Sequence, residues 1–457
     1  MPHTRLPASI FPLVARSAAV LALAGALPAQ AAVGSGTPAS CTEAALDLAL
    51  AGGGAVSFNC GPSPVSIPIT STKVLNQSTH IDGGDLVILQ GDGNVRLFDL
   101  TGAASYTMAN LVLTDGMALN GSGGAIRIET STLLLNNVTL FGNVASGAFS
   151  RGGAIYSFGG AQLTLQKVTA TGNMANAGGA IYTGGDADTL TLTDFVAVEN
   201  IAGADGGAIL HAGAALNIAQ SLFTRNQSHT LGATGGAIIV SPGLTSTLSI
   251  TNSTFQGNLR DASGSGNAIG VSGVPAGTIT NSTFADNGGS PGTITVFGTN
   301  TPTHLTLRNT LIGNTTGGQS NCAIYGMAGN TIVDGGNNLQ WGGSAAPSCG
   351  ASIPVADPLL APLAANGGFS QTMALQAGSP ALNTGGSCAA TDQRGVARPI
   401  GPACDIGAFE SPLGAAGGGG GPASPAAIPT LGHAGLALLS ALMAGVCALR
   451  RRRIFYA

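Results

Sequence analysis

The sequence predicts an all-β fold, a right-handed parallel β-helix. Two repeated motifs and a composition suited to short strands carry that prediction. The first motif is a double glycine. Gly123-Gly124-Ala125-Ile126 returns as Gly152 to Ile155, Gly178 to Ile181, Gly206 to Ile209 and Gly235 to Ile238, with Gly266-Asn267-Ala268-Ile269 as a degraded copy. The isoleucines stand 29, 26, 28, 29 and 31 residues apart, the length of one solenoid coil. The second motif, F-x-x-N, lies out of phase with the first. It ends at Asn226, Asn258 and Asn287, while Leu140, Ala170, Ala197 and Leu311 take the Phe slot in weaker copies. As for composition, 72 of 457 residues are Gly, 8% are charged and 44% are hydrophobic. A disordered chain is richer in charge and poorer in apolar residues.

Each element of the unit has a physical reason. GGAIY, Gly178 to Tyr182, resembles the opening of a phosphate-binding loop, but such a loop occurs once and opens a helix. Here it recurs and precedes a short strand. The runs LTLQKVTA (163–170) and LTLTDFVAV (190–198) alternate with a period of two, marking strands with one face buried. One unit cannot bury that face alone, whereas stacked units bury Ile over Ile and Phe over Phe. The asparagines are expected at corners, in the left-handed region, with their amides bonding a neighbouring coil. The N-x-S/T triplets at Asn76, Asn137, Asn226, Asn252, Asn281 and Asn314 resemble glycosylation sites and read instead as strand-and-corner chemistry. Roughly ten coils between residues 50 and 345 give a rod ~50 Å long at ~4.8 Å per step. A β-propeller needs about 40–50 residues per blade and aromatic signatures that the chain does not have.

The two ends differ from the repeats. Residues 1–31 carry Arg5 and Arg16, an apolar run and Ala29-Gln30-Ala31, the layout of a secretory signal peptide cleaved after Ala31. Residues 32–65 read as an N-terminal cap, in which CTEAALDLALAGGGAVSFNC (41–60) supplies a short helix and a strand. The repeats occupy 66–345. An irregular region, 346–411, follows, then a Gly/Pro/Ala linker, 412–427, and a terminal segment, 428–457. In that segment His433 to Leu449 is a transmembrane helix candidate, which Arg450, Arg451, Arg452 and Arg453 hold on the cytoplasmic side.

Without both ends, ten of the sixteen Lys+Arg remain against all twenty Asp+Glu, so the body is near −10. That argues against nucleic acid or anionic lipid as partner. Cys41, Cys60, Cys322, Cys349, Cys388 and Cys404 form three sequence-local groups. In an oxidising compartment they read as the disulfides Cys41–Cys60, Cys322–Cys349 and Cys388–Cys404, a choice by proximity among fifteen connectivities.

The GGAI and F-x-x-N motifs resemble the repeats of the chlamydial polymorphic outer membrane proteins over about residues 121–314. Residues 357–410, with DPLLAPLAANGG, LQAGSPALNTG, TDQRGVARP and CDIGAFE, resemble the choice-of-anchor Q region of secreted β-helix proteins. Ile428-Pro429-Thr430-Leu431, followed by the apolar helix and arginines, resembles the IPTL-CTERM sorting tail. Gly432-His433-Ala434 departs from the acidic and aromatic residues that often follow that motif. These resemblances imply export to the cell surface, outer envelope or exterior of a Gram-negative-type bacterium. They also imply an exosortase-like membrane transpeptidase as processing partner, cutting near the motif.

Chemistry is sparse. The N-T-D, D-D and G-H-G motifs of pectin hydrolases do not occur, and neither does the nonapeptide calcium repeat. Lys73 and Lys167 are the body's lysines available as lyase bases, while Arg127, Arg151 and Arg225 lie scattered among coils. Asp186, Asp188, Asp194, Glu199 and Asp205, with His211 following, form the densest acidic stretch. Asp186 and Asp188 lie on one side of an extended segment and are weak candidates for a metal. Beside glycines, aspartates are ordinary turn residues. Asp392, Arg394, Arg398, Asp405 and Glu410 read as ion pairs in a cap rather than an active site. Trp341 is placed to cover the last coil. The sequence thus predicts no catalytic residues and no cofactor. It favours a secreted, surface-displayed β-helix of structural or adhesive type, whose surface polysaccharide or host ligand is unidentified. A polysaccharide-active or carbohydrate-binding β-helix is the alternative.

Overall fold

The computed structural model describes residues 30–413 except 230–234, 242–245, 261–267, 289–291, 299–300, 316–319 and 343–347. The described chain winds into a right-handed parallel β-solenoid of about 10 turns. Its strands form sheets of 20, 10 and 6 strands among the described residues, and paired strands run parallel.

The GGAI motif builds the ten-stranded sheet. Ile126, Ile155, Ile181, Ile209, Ile238, Ile269 and Ile294 are in register and fully buried. The two glycines of each copy do different jobs. Gly178 has φ +61°, where a side chain is strained, and a Cβ on Gly179 would strike the carbonyl oxygen of Gly207 in the next coil. Gly124, Gly153 and Gly207 meet the next coil's carbonyl oxygen in the same way, so these copies mark corners where successive coils approach too closely for a side chain.

The alternating runs differ from the single strands expected. LTLQKVTA splits into Gln162–Gln166 and Thr169–Thr171, and LTLTDFVAV into Thr189–Thr193 and Val196–Val198. The break falls at Lys167 and Asp194, whose φ values of 53° and 51° are left-handed. One such residue turns the chain and shifts the phase of alternation, so Val168 and Phe195 both point into the core. The same bend recurs at Asn110, Asn137, Gln220, Asn252, Asn281, Asn309 and Asn337. Three of the N-x-S/T asparagines, 137, 252 and 281, therefore sit at these bends.

The F-x-x-N asparagines are not left-handed. The residue before each takes that conformation instead: Gly142, Gly172, Glu199, Arg225, Gly257 and Asp286. This leaves Asn143, Asn173, Asn200, Asn226, Asn258 and Asn287 fully buried in a continuous ladder. In each, Nδ2 donates to a backbone carbonyl one coil back. From Asn143 to Asn258 the backbone N–H and Nδ2 both donate to the next asparagine's Oδ1, at 2.9–3.1 Å. A buried amide left unpaired costs about 1–3 kcal/mol, so only a satisfied ladder is tolerated inside the rod. Beside it Phe223, Phe255 and Phe284 stack with centroids 4.8 and 4.6 Å apart. Where Ala197 takes the Phe slot, Phe195, just after the bend, packs against Phe223 at 5.8 Å.

Helix α1, Glu43–Leu50, closes the N-terminal end with Leu46, Ala49 and Leu50 buried. Thr42 caps it by accepting from the Ala45 N–H at 3.2 Å. The Cys41–Cys60, Cys322–Cys349 and Cys388–Cys404 disulfides are all present. Residues 1–29, with most of the expected signal peptide, lie outside the described residues, while Ala31–Val33 pairs with Val56–Phe58. The linker from 414 and the expected transmembrane helix also lie outside them. Among the described residues no helix is long and apolar enough to cross a membrane.

The C-terminal region begins on the end of the rod, where Cys349 and Ile353 join the main core and Val355 bridges Gln340 of the last coil. It then folds back along the side, and segment 384–391 runs against the coil order past four bends. Asn337 donates to the Thr384 carbonyl at 2.9 Å, and Asn309 exchanges two bonds with Gly386 at 2.7 and 3.0 Å. Asn281 accepts from the Ala389 N–H at 3.1 Å, and Asn252 donates to the Thr391 carbonyl at 2.8 Å. Leu311 and Leu339 of the coils share a small apolar cluster with Leu375, Ala381 and Ile406 beneath this clasp.

Candidate functional site

The acidic stretch does not converge. Asp186 and Asp188 flank a turn, not an extended segment, and only Asp186 is exposed. Asp188 is fully buried, and both its oxygens are engaged. Oδ1 accepts from the Gly160 and Ala161 N–H groups at 2.7 and 2.9 Å, and Oδ2 from Ser157 Oγ at 2.8 Å. It organises the turn of the preceding coil. Asp194 sits at a bend, where burial raises its pKa against the opposing pull of Lys167. Glu199 pairs with Arg225 at 2.9 Å on the exposed surface. Among the described residues no group of three or more His, Cys, Asp or Glu side chains is placed to hold a metal ion.

His211 lies inside the rod, in register with Thr183 and Val240. Its Nδ1 meets Thr183 Oγ1 at 2.6 Å, and burial pushes its pKa down to about 4. A neutral, enclosed imidazole of this kind is a core residue. Lys73, a candidate base from the sequence, is equally committed: its ammonium lies 2.6 Å from both Glu43 and Asp47 and tethers α1 to the first coil. Burial alone raises the Glu43 pKa, but Lys73, Thr70 and Ser71 outweigh it and hold the carboxylate at about 2. Lys167 is exposed at its bend, and Trp341 is 37% exposed on the last coil.

In the C-terminal region the carboxylates and arginines form tight pairs. Arg394 bonds Asp392 at 2.6 Å, and Arg398 bonds Glu410 at 3.0 Å and the Gly407 carbonyl at 2.7 Å. Burial lifts the Asp405 pKa to about 6. Apart from the buried Arg398 Nε, these groups bond one another and the local backbone, as a structural cluster does.

One surface does gather chemistry-bearing side chains, and the sequence reading passed over it. On the GGAI strands the residue after the buried isoleucine lies on the other face: Arg127 and Tyr156 are partly exposed there, whereas Tyr182 is 8% and Ile239 2% exposed. In successive coils that position holds Asp99, Arg127, Tyr156 and Tyr182, in register. Tyr156 stacks on Phe158 at 5.2 Å and approaches Tyr182 at 5.6 Å. Arg127 lies over the Phe158 ring at 4.9 Å and Arg151 over Tyr182 at 4.8 Å, both within cation–π range. Arg127 also reaches Asp99 at 3.0 Å and Glu129 at 3.6 Å, while Arg96 reaches Asp99 at 3.3 Å. Burial raises the Tyr182 pKa, partly offset by Arg151. Arg127 and Arg151, distant in sequence, thus flank one aromatic cluster, whereas Arg225 lies elsewhere. The signal was the Tyr of GGAIY itself: strand alternation places it opposite the buried Ile.

Comparison with known proteins adds two matches. The tail, residues 426–453, matches the IPTL-CTERM motif. The chain is also similar to a probable autotransporter of Escherichia coli (strain K12), YfaL, at 36% identity over 133 residues. That alignment takes in 26% of this chain and 11% of the relative. No solved structure matches the chain.

Proposed function

We propose that the protein is an exported β-solenoid displayed at the bacterial surface, of structural or adhesive type. Its C-terminal tail would be handed to an exosortase-like membrane transpeptidase. The observation that carries this reading is the pairing of a sorting motif at 426–453 with a disulfide-stapled rod. Three disulfides fit an oxidising, extracytoplasmic compartment. The similarity to a probable autotransporter supports the same direction, as do the repeat and 357–410 resemblances. Asp188, Glu199, Arg225 and Lys73 are spent on turns, a cap and ion pairs, which favours display over catalysis.

Mass spectrometry of the protein released from the cell surface tests the proposal. The expected product begins near Ala32 and ends near the Ile428-Pro429-Thr430-Leu431 motif. Released protein still carrying 433–457 overturns sorting by cleavage, and protein confined to the cytoplasm overturns the whole reading.

A further inference from the structure

We infer that the outer face of the GGAI sheet, over the coils that carry Arg127, Tyr156 and Tyr182, binds an acidic polysaccharide laid along the rod axis. The inference deepens the adhesive reading and rests on it for its biological setting.

Period is the first argument. Parallel coils repeat at about 4.8 Å, and the Tyr156–Tyr182 centroids are 5.6 Å apart. An extended β-linked glycan advances by about one coil step per sugar, so a chain along the axis meets an equivalent position on each coil. The second argument is chemistry. Sugar C–H faces pack on the partly exposed Tyr156 and Phe158 rings, and Tyr156 offers its hydroxyl to sugar oxygens, while the buried Tyr182 backs them. Phe149, 88% exposed, and Leu119, 68% exposed, stand on the turns leading into these strands.

Charge chooses the ligand. Three arginines, Arg96, Arg127 and Arg151, meet two carboxylates, Asp99 and Glu129, on this face, while the body as a whole is near −10. Arg96 is fixed by the Ser122 and Gly123 carbonyls and shares Asp99 with Arg127, whose Nη1 lies 3.0 and 3.1 Å from the two Asp99 oxygens. Arg127 also contacts Glu129 at 3.6 Å, so it too is paired. Arg151 has no carboxylate within ion-pair distance among the described residues. The Arg151 guanidinium, held over the Tyr182 ring at the rim of the aromatic cluster, matches the planar carboxylates of an acidic sugar chain. A face built only to bury rings would not need an exposed Arg151.

A matched pair of ligands tests this on the full chain purified in detergent. A β-1,4-linked glucuronate tetrasaccharide and cellotetraose share a backbone and differ in their carboxylates. By titration calorimetry the acidic chain is expected to bind roughly ten-fold or more tighter than the neutral one. Arg151→Gln and Tyr156→Ser should each weaken it by about ten-fold at an unchanged melting temperature, and Arg225→Gln should leave it unaltered. If Tyr156→Ser lowers the melting temperature, the exposed Arg151→Gln decides alone. Absence of saturable binding, equal affinity for cellotetraose, or full affinity in Arg151→Gln overturns the inference. None of these outcomes bears on surface release, which the mass spectrometry above reads separately.

Discussion

Two halves of one rod share a backbone and differ in what covers it. The coils from Phe98 to His211 present aromatic rings and arginines on one face, and their bends carry Asn110, Asn137, Lys167 and Asp194. The coils from Ile238 to Gly342 have the clasp packed along their side, and all four of their bends, 252, 281, 309 and 337, are asparagine. A left-handed residue costs about 1–2 kcal/mol for most side chains and less for Asn. In the open half that cost is spread over whatever residue the surface tolerates. In the covered half the amide must also read a backbone, and only Asn does both. The repeat therefore builds the rod, and the departures from it assign work to each half.

The buried asparagine ladder runs through both halves, so breaking it should not distinguish them. Asn173→Ala in the open half and Asn258→Ala in the covered half each strand several buried donors and acceptors. Each is expected to cost about 4 kcal/mol, read as a fall in denaturation midpoint. A difference of more than about 1 kcal/mol between them would mean that the clasp also supports the interior.

His211 marks the open half by pH. Its pKa is near 4 in the folded chain against about 6.5 unfolded, so the unfolded state takes the proton first. Stability is full above about 6.5 and falls as pH drops toward 4, by about 3 kcal/mol. His211→Val is expected to abolish that slope in thermal melts, and an unchanged slope would place the acid sensitivity elsewhere. The clasp moves in the opposite sense. Asp405, raised to about 6 by burial, favours the folded state at low pH and loses that contribution as pH rises through 6.

Substitution to glycine at the bends gives the smallest energies and the clearest sign. Lys167→Gly relieves a left-handed side chain and should stabilise by up to about 1 kcal/mol. Asn309→Gly gains less relief and loses both bonds to Gly386, so it should destabilise by about 1–2 kcal/mol. It should also speed limited proteolysis within 384–391. Stabilisation by both variants would show that the clasp draws nothing from its asparagines.

Much of this was legible in residue order. Period, turn glycines and alternation depend only on spacing, so the coil length, the Ile column and the Phe stack followed from the sequence. The three disulfides followed from proximity, because short loops close readily. The left-handed position within F-x-x-N was misplaced by one residue, since Gly142 or Arg225 takes the strain and frees the asparagine to pair. Asp186 and Asp188 looked alike in sequence, yet one is exposed and the other is buried in a turn of the coil before it. What only the tertiary structure decided are contacts between residues one or more coils apart: Arg127 and Arg151 on one aromatic cluster, and Thr384 to Thr391 read by four bends. Stacking converts a separation of nearly thirty residues into a single strand spacing, and side chains that meet that way leave no local pattern to read.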